Sequence, residues 1–173
     1  MPTTEDLARA EALIRTIPDY PEPGVLFRDI TPLLADAAGL RCVIDAMIEP
    51  FEGQFDVVAG IEARGFLLAA AAATVADVGL VPIRKAGKLP RPAASVDYAL
   101  EYGTATIEAH DDIAPGTRVL LVDDVLATGG TLQAAHELVP AIGGVVVATS
   151  VLMELSALGG RALVPDTFAV FTA

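Results

Sequence analysis

Two adjacent carboxylates, Asp123 and Asp124, close the apolar run Val119-Leu120-Leu121-Val122. After Val125 and Leu126 comes Ala127-Thr128-Gly129-Gly130-Thr131, and then a helical pattern begins. Such an order does chemistry on phosphates. A helix N-terminus leaves its first backbone N–H groups without internal partners, and the helix dipole favours an anion there. Gly129 and Gly130 let the backbone come close and take positive φ. Thr128 and Thr131 add hydroxyl donors, so residues 127–131 read as a cup for one phosphate. The paired acids beside it can accept hydrogen bonds from sugar hydroxyls, or hold Mg²⁺ through its waters. The string is not a Walker loop, because no Gly-Lys-Ser/Thr follows the glycines, and the glycine spacing does not fit the dinucleotide fingerprint. A double Asp alone is more often a strand-end cap; the thirteen-residue string is far more specific.

A second feature is cationic. Arg84, Lys85, Lys88 and Arg91 place four of the eleven Lys and Arg residues within eight positions, in a chain of net charge −12. On composition alone this reads as a solvated loop. Its sharper reading is a patch for a small polyanion, and it is too short for a nucleic acid track. His110 and His136 lie outside these motifs and read as structural or solvent-exposed. The lone Cys42 falls at a core position and cannot form an internal disulfide, which fits a reducing cytoplasm. The N-terminal residues lack the basic flank and apolar stretch of a signal peptide. Asp77, Gly79 and Pro82 interrupt the greasiest region, 65–83, so no membrane span is expected.

The elements that position these groups follow from periodicity. A first helix starts at Thr3 or Thr4, with Leu7, Ile14 and Ile17 on its apolar side. Three prolines and a glycine in residues 18–24 force an extended, turning path. A helix over 36–49 is capped by Asp36. Strands are expected at 55–60, 80–84 (short because of Pro82), 98–102, 104–110, 118–124, 145–152 and 167–171. Helices are expected at 66–78 and 130–142, and a polar loop at 85–97. Alternation in Thr106-Ile107-Glu108-Ala109-His110 predicts a strand with one wet face. The run at 118–124 is near-continuously apolar, as a central parallel strand requires. Strand and helix alternate through the middle, which predicts an α/β fold: a central, mostly parallel sheet flanked by helices. No repeat or linker separates a second domain, so one domain over 1–173 is expected.

The string 119–131 resembles the phosphoribosyl-diphosphate (PRPP) signature of the type I phosphoribosyltransferases. Further segments narrow the resemblance to their adenine-specific branch. Residues 18–31 resemble its N-terminal base-binding segment, within a hood of about 1–34. Gly60-Ile61-Glu62-Ala63-Arg64-Gly65-Phe66 resembles its pyrophosphate loop. Arg84-Lys85-Ala86-Gly87-Lys88-Leu89-Pro90 and Leu100-Glu101-Tyr102-Gly103-Thr104 resemble the two ends of a mobile β-lid, about 85–104. The segments occur in family order over about residues 17–158.

The resemblance implies roles. Phe27 would stack on the purine, with Leu26, Arg28 and Leu126 completing the base site. Base stacking of this kind contributes about 1–3 kcal/mol. Ala127, Thr128, Gly129, Gly130 and Thr131 would hold the 5′-phosphate of PRPP. Glu62, Ala63, Arg64, Arg84 and Lys88 would form the pyrophosphate site, with a strained or cis peptide at Glu62-Ala63. Glu101, Arg64, Asp123 and Asp124 would be catalytic, Glu101 as the lid's acid–base residue, with Tyr102 positioning the closed lid. Mg²⁺ would be held through PRPP and water near Asp123 and Asp124, with no direct protein ligand. The implied reaction is adenine plus PRPP giving AMP plus pyrophosphate, by a cytoplasmic homodimer with no nucleic acid or membrane partner. The rivals are a transferase for xanthine or hypoxanthine, and a non-catalytic PRPP-sensing regulator. Taken without the resemblance, Phe27, Arg64 and Glu101 each have the bland alternative of a core ring, an exposed arginine and a surface acid.

Overall fold

The computed structural model describes residues 2–100 and 103–173, the side chain of Leu100 excepted. Glu101 and Tyr102 lie outside the described residues. The chain divides into two compact units, 1–46 and 47–173.

The first unit opens with α1 (Thr4–Glu11), held by a reciprocal cap. Thr3 Oγ1 accepts the Asp6 N–H at 3.1 Å, and the Asp6 carboxylate accepts the Thr3 N–H at 3.3 Å. The helix stops earlier than expected. Ile14 and Ile17 do not continue it; Arg15–Pro18 form β1, paired antiparallel with β2 (Leu26–Asp29). β-Branched Thr16 and Ile17 followed by Pro18 favour an extended strand over another helical turn. The connecting turn carries a cis Tyr20–Pro21 bond and positive φ at Asp19 and Gly24. A short α2 (Thr31–Ala35), not anticipated, precedes α3 (Ala37–Ile48). Asp36 caps α3 as expected, accepting the Gly39 N–H at 2.7 Å. Cys42 is buried.

The second unit is one seven-stranded sheet in the order β5-β6-β4-β3-β7-β8-β9. Its elements in chain order are β3 (Val57–Ile61), α4 (Arg64–Ala76), β4 (Gly79–Lys85), β5 (Ala94–Leu100), β6 (Gly103–Ala109), β7 (Arg118–Leu126), α5 (Gly130–Ala141), β8 (Val145–Glu154) and β9 (Thr167–Thr172). Strands β4, β3, β7, β8 and β9 are parallel. The hairpin β5–β6 is antiparallel and joins β4 only at Arg84 and Lys85. That limited pairing explains why β4 outruns its expected length. Pro82 is in register with Gly60 on one side, and no β6 residue pairs with it on the other.

The topology places the site. The crossover β3–α4–β4 runs one way along the sheet, and β7–α5–β8 runs the other. Right-handed connections then put α4 and α5 on opposite faces, with β3 and β7 adjacent at the point where direction reverses. Ligands of open α/β sheets bind beyond the strand ends at such a point. Both strands are dry: every residue of β3 is buried, as are Val119 to Asp124 of β7. Leu132, Ala135, Leu138 and Val139 of α5 share one core cluster with Val119 and Leu121. On α4, Leu68, Ala69, Ala72 and Ala73 are buried. Gly60 permits that close helix approach, since a Cβ there would lie 2.5 Å from Ala69 Cβ.

One expectation fails on β6. Ile107, Glu108 and Ala109 are all buried, so the expected wet face of Thr106, Glu108 and His110 is interrupted at Glu108, while its other two positions are half-buried. A carboxylate sits inside because it is hydrogen-bonded there, as described below.

Candidate active site

Two loops meet at the reversal point, one after β3 and one after β7. Residue 129 has φ +88°, which only glycine adopts without strain, and it opens α5 with no side-chain cap. Helix α4 opens at Ala63, also without a side-chain cap. Such a helix start is the end at which backbone N–H groups and the dipole favour an anion, although at α4 the Phe66 N–H already donates to Ala63 O at 3.3 Å. Asp123, Val125 and residues 127–132 line a hollow of about 130 Å³, of a size for a phosphate group. A larger hollow of about 410 Å³ lies between α5 and the opening residues of β8 and β9. It sits away from the carboxyl ends of the strands and holds none of the paired acids, so size does not mark the chemistry here.

The loop after β7 is braced from behind by a residue that sequence reasoning missed. A Cβ at Gly129 would lie 2.6 Å from Gly160 O, and one at Gly160 would lie 3.0 Å from Gly129 N. The two backbones touch where neither could carry a side chain. Arg161 fixes that contact in place. Its Nε donates to Glu154 at 3.0 Å, and its Nη1 donates to Pro165 O at 2.9 Å and Thr167 O at 2.8 Å. The only sequence signal was the pair Gly159-Gly160, which resembles any loop. Leu126 lies beneath the loop: its side chain is fully buried, and its carbonyl accepts the Leu155 N–H at 2.9 Å.

Between the loops stand the two acids. Arg64 Nη2 lies 2.7 Å from Asp124 Oδ2. Asp123 Oδ1 accepts the Asp124 N–H at 2.8 Å. Gly65 lets α4 seat against them, since a Cβ there would lie 2.7 Å from Asp123 Oδ1. Burial, and then the charge on Asp124, push the Asp123 carboxyl well above its ordinary range, while Arg64 works the other way. Among the described residues no group of three or more His, Cys, Asp or Glu side chains gathers to cage a metal. The two carboxylates still fit Mg²⁺. They are hard oxygen donors whose two carboxylates outnumber the one guanidinium paired with them, suited to a cation that keeps most of its waters and draws other ligands from phosphates.

The third component is Glu62, which is joined to Ala63 by a cis peptide bond. Its carboxylate contacts Lys88 Nζ, accepts the Lys85 N–H at 3.0 Å and lies 3.4 Å from Arg84 Nε. Burial acts to raise its pKa, but the hydrogen bonds from Lys88 and Lys85 outweigh that and hold it below the ordinary value. The structure thus gathers Glu62, Arg84 and Lys88 at one end of the β4 edge. Any anion would meet Glu62 through the cations it holds.

The hairpin β5–β6 also reaches the loop after β7. A Cβ on Gly130 would lie 3.4 Å from Ala99 O and 3.6 Å from Tyr98 Cδ2, so the end of β5 crosses the first turn of α5. Leu26, Phe27 and Arg28 lie on β2 of the first unit. Leu26 is exposed, the Phe27 ring meets Tyr20 edge-on at 5.1 Å, and Arg28 Nη1 donates to Thr16 Oγ1 at 2.8 Å. His136 Nε2 lies 2.8 Å from Thr149 Oγ1, and His110 Nδ1 lies 3.9 Å from Asp112. Neither histidine lines the hollow at residues 127–132. No helix among the described residues is long and apolar enough to cross a membrane.

Comparison with known proteins agrees with this geometry. Residues 30–169 match the family model described as "Phosphoribosyl transferase domain". An adenine phosphoribosyltransferase from an Arthrobacter strain is 60% identical over 151 residues, covering 87% of this chain and 82% of that protein. The crystal structure of adenine phosphoribosyltransferase from Rhodothermus marinus superposes with a TM-score of 0.93 at 47% identity, over 99% of this chain and 100% of that one. The Saccharomyces cerevisiae enzyme, solved with adenine and an imino-altritol bisphosphate, gives a TM-score of 0.90 at 34% identity over 97% and 99% of the chains. Motif, topology and relatives converge: the chain belongs to the adenine phosphoribosyltransferases of the type I phosphoribosyltransferase family.

Proposed function

We propose that this protein converts adenine and PRPP to AMP and pyrophosphate, as a purine salvage enzyme. The observation that carries the reading is the pair of uncapped helix starts flanking the reversal point, with two carboxylates between them. Residues 127–131 hold the 5′-phosphate through backbone N–H groups and the Thr128 and Thr131 hydroxyls. Asp123 and Asp124 fix the ribose hydroxyls. Arg64, Arg84 and Lys88 take the pyrophosphate, with Glu62 and Ala63 shaping the loop around it.

Bond breaking at ribose C1 leads bond making, so the sugar gains oxocarbenium character. Arg64 offers a planar fork to the departing oxyanion. It can do so by trading one anion for another, because it already rests on Asp124. Asp123 and Asp124 would hold Mg²⁺ through its waters, and the ion would there supply positive charge to stabilise a leaving pyrophosphate. Phe27 stacks on the purine, and the backbones of Leu26 and Arg28 read its edge. Glu101 accepts the purine proton, and Tyr102 helps to place the closed lid over 85–104. Closure excludes water that would otherwise capture the sugar. We further place the protein in the cytoplasm as a homodimer, in keeping with its single cysteine and the family resemblance.

The test is a direct assay. Purified protein, Mg²⁺ and PRPP are mixed with adenine, xanthine or hypoxanthine separately, and pyrophosphate release is followed. Release with adenine alone is expected. Release only with xanthine or hypoxanthine, or PRPP binding without any turnover, overturns the assignment.

A further inference from the structure

We propose that Glu108 is a positioning residue of the pyrophosphate site: from strand β6, its carboxylate holds the turn 87–89 so that Lys88 meets Glu62. The inference rests on the function proposed above and adds a residue to it.

Glu108 is 5% exposed, at the one junction where β4 meets the hairpin β5–β6. In the ladder it is in register with Arg84 of β4 on one side and Ser95 of β5 on the other. Its Oε1 accepts the backbone N–H of Lys88 at 3.0 Å and that of Leu89 at 2.8 Å. Successive N–H groups converging on one point form a concavity that binds anions. Gly87, at φ +82°, permits the turn. Here the anion is built into the chain. The hydrogen bond from Leu89 chiefly, with further ones from Gly87 and Lys88, holds the Glu108 carboxyl below its ordinary pKa.

The consequence runs through Lys88. Its backbone is fixed by Glu108 and its ammonium by Glu62, so two carboxylates set both ends of one residue. The Lys88 carbonyl also lies 3.4 Å from Arg84 Nη1. Glu62 follows β3 and Glu108 stands one residue before the end of β6, so the cations proposed to meet pyrophosphate are placed jointly by the parallel strands and the hairpin β5–β6. Glu108 touches no substrate in this account. Its removal frees the turn and lets Lys88 drift, which weakens PRPP binding while leaving adenine binding and the chemical step largely intact.

The experiment is a double-mutant cycle on the full-length protein, with Glu108→Ala, Lys88→Ala and the double variant. In the parent background, Glu108→Ala should raise the KM for PRPP by about tenfold, as expected for a misplaced positioning group. The KM for adenine and kcat should change by less than about threefold. In the Lys88→Ala background, Glu108→Ala should change the PRPP KM by less than about twofold, because the residue it acts through is gone. Glu108→Gln keeps an acceptor oxygen and should show a smaller rise that also vanishes without Lys88; it carries the same cycle if the alanine variant does not fold. An equal rise in both backgrounds, or parallel rises in both KM values, overturns the inference. A parent with no adenine turnover removes the function and this inference together. An active parent whose PRPP KM responds to Lys88→Ala but not to Glu108→Ala removes this inference alone.

Discussion

Arg64 Nη2 and Asp124 Oδ2 lie 2.7 Å apart, joining the first residue of α4 to the carboxyl-terminal part of β7 at the sheet's reversal point. The arginine is thereby held and oriented by a carboxylate. Its side chain is 34% exposed against 10% for Asp124, so it remains the more accessible of the two to an incoming anion.

Loss of that group should therefore cost transition-state stabilisation. Arg64→Ala is expected to lower turnover by roughly 10²–10³-fold, the scale of removing one preorganised electrostatic partner. Glu101→Ala should cost a similar factor if it takes the purine proton. Steady-state rates of AMP formation check both, and near-parental turnover in either variant removes the role assigned to that residue.

Helix α4 has almost no clearance over β7. Gly65→Ala would put a Cβ 2.7 Å from Asp123 Oδ1 and 3.2 Å from both Asp123 Cα and Val122 O. Backbone cannot step aside as a side chain can, so the helix must shift. The expected cost is about 1–3 kcal/mol of stability, read from urea denaturation. Turnover should fall as well, because the shift moves Arg64 and Asp123 together.

Acid stability should report on a pair far from the site. Arg118 hydrogen-bonds Asp56 through Nε at 3.0 Å and Nη2 at 2.6 Å, and these bonds bring the Asp56 carboxyl down to about 2. A depressed folded-state pKa stabilises the fold at pH values above the ordinary 3.8, and that contribution is lost as pH falls toward 2. Asp56→Asn should lower Tm at pH 7, and the gap to the parent should narrow from about pH 4 downward. Thermal melts across that range check it; a constant gap would show that the pair does not govern this window.

Most of the second unit was legible because its signals are local. An apolar run with two terminal acids and a Thr/Gly loop can hardly be anything but a buried strand feeding a helix start, and β7, the cup and α5 follow from it. Asp36 and Thr3 announce their helices by capping chemistry. What escaped was set by partners distant in sequence. Ile14 and Ile17 fit a helical stripe until β2 is available to pair with β1. Glu108 occupies a wet position by alternation, and only the turn at 87–89, some twenty residues earlier, makes burial favourable. Gly160 is unremarkable as one glycine of a pair; its backbone contact with Gly129 exists only after β8 and β9 have placed it. The side chain of Leu126, adjacent to the cup in sequence, is turned into the core by the same strand that delivers the loop.

Phosphate binding by the loop 127–131 is the central claim, and calorimetric titration of AMP against adenosine tests it most directly. The two ligands share base and sugar and differ only in the group the cup is built to hold. Two or more charge-assisted hydrogen bonds from the cup predict AMP binding at least about 100-fold tighter than adenosine. Equal affinity for the two ligands would contradict the account.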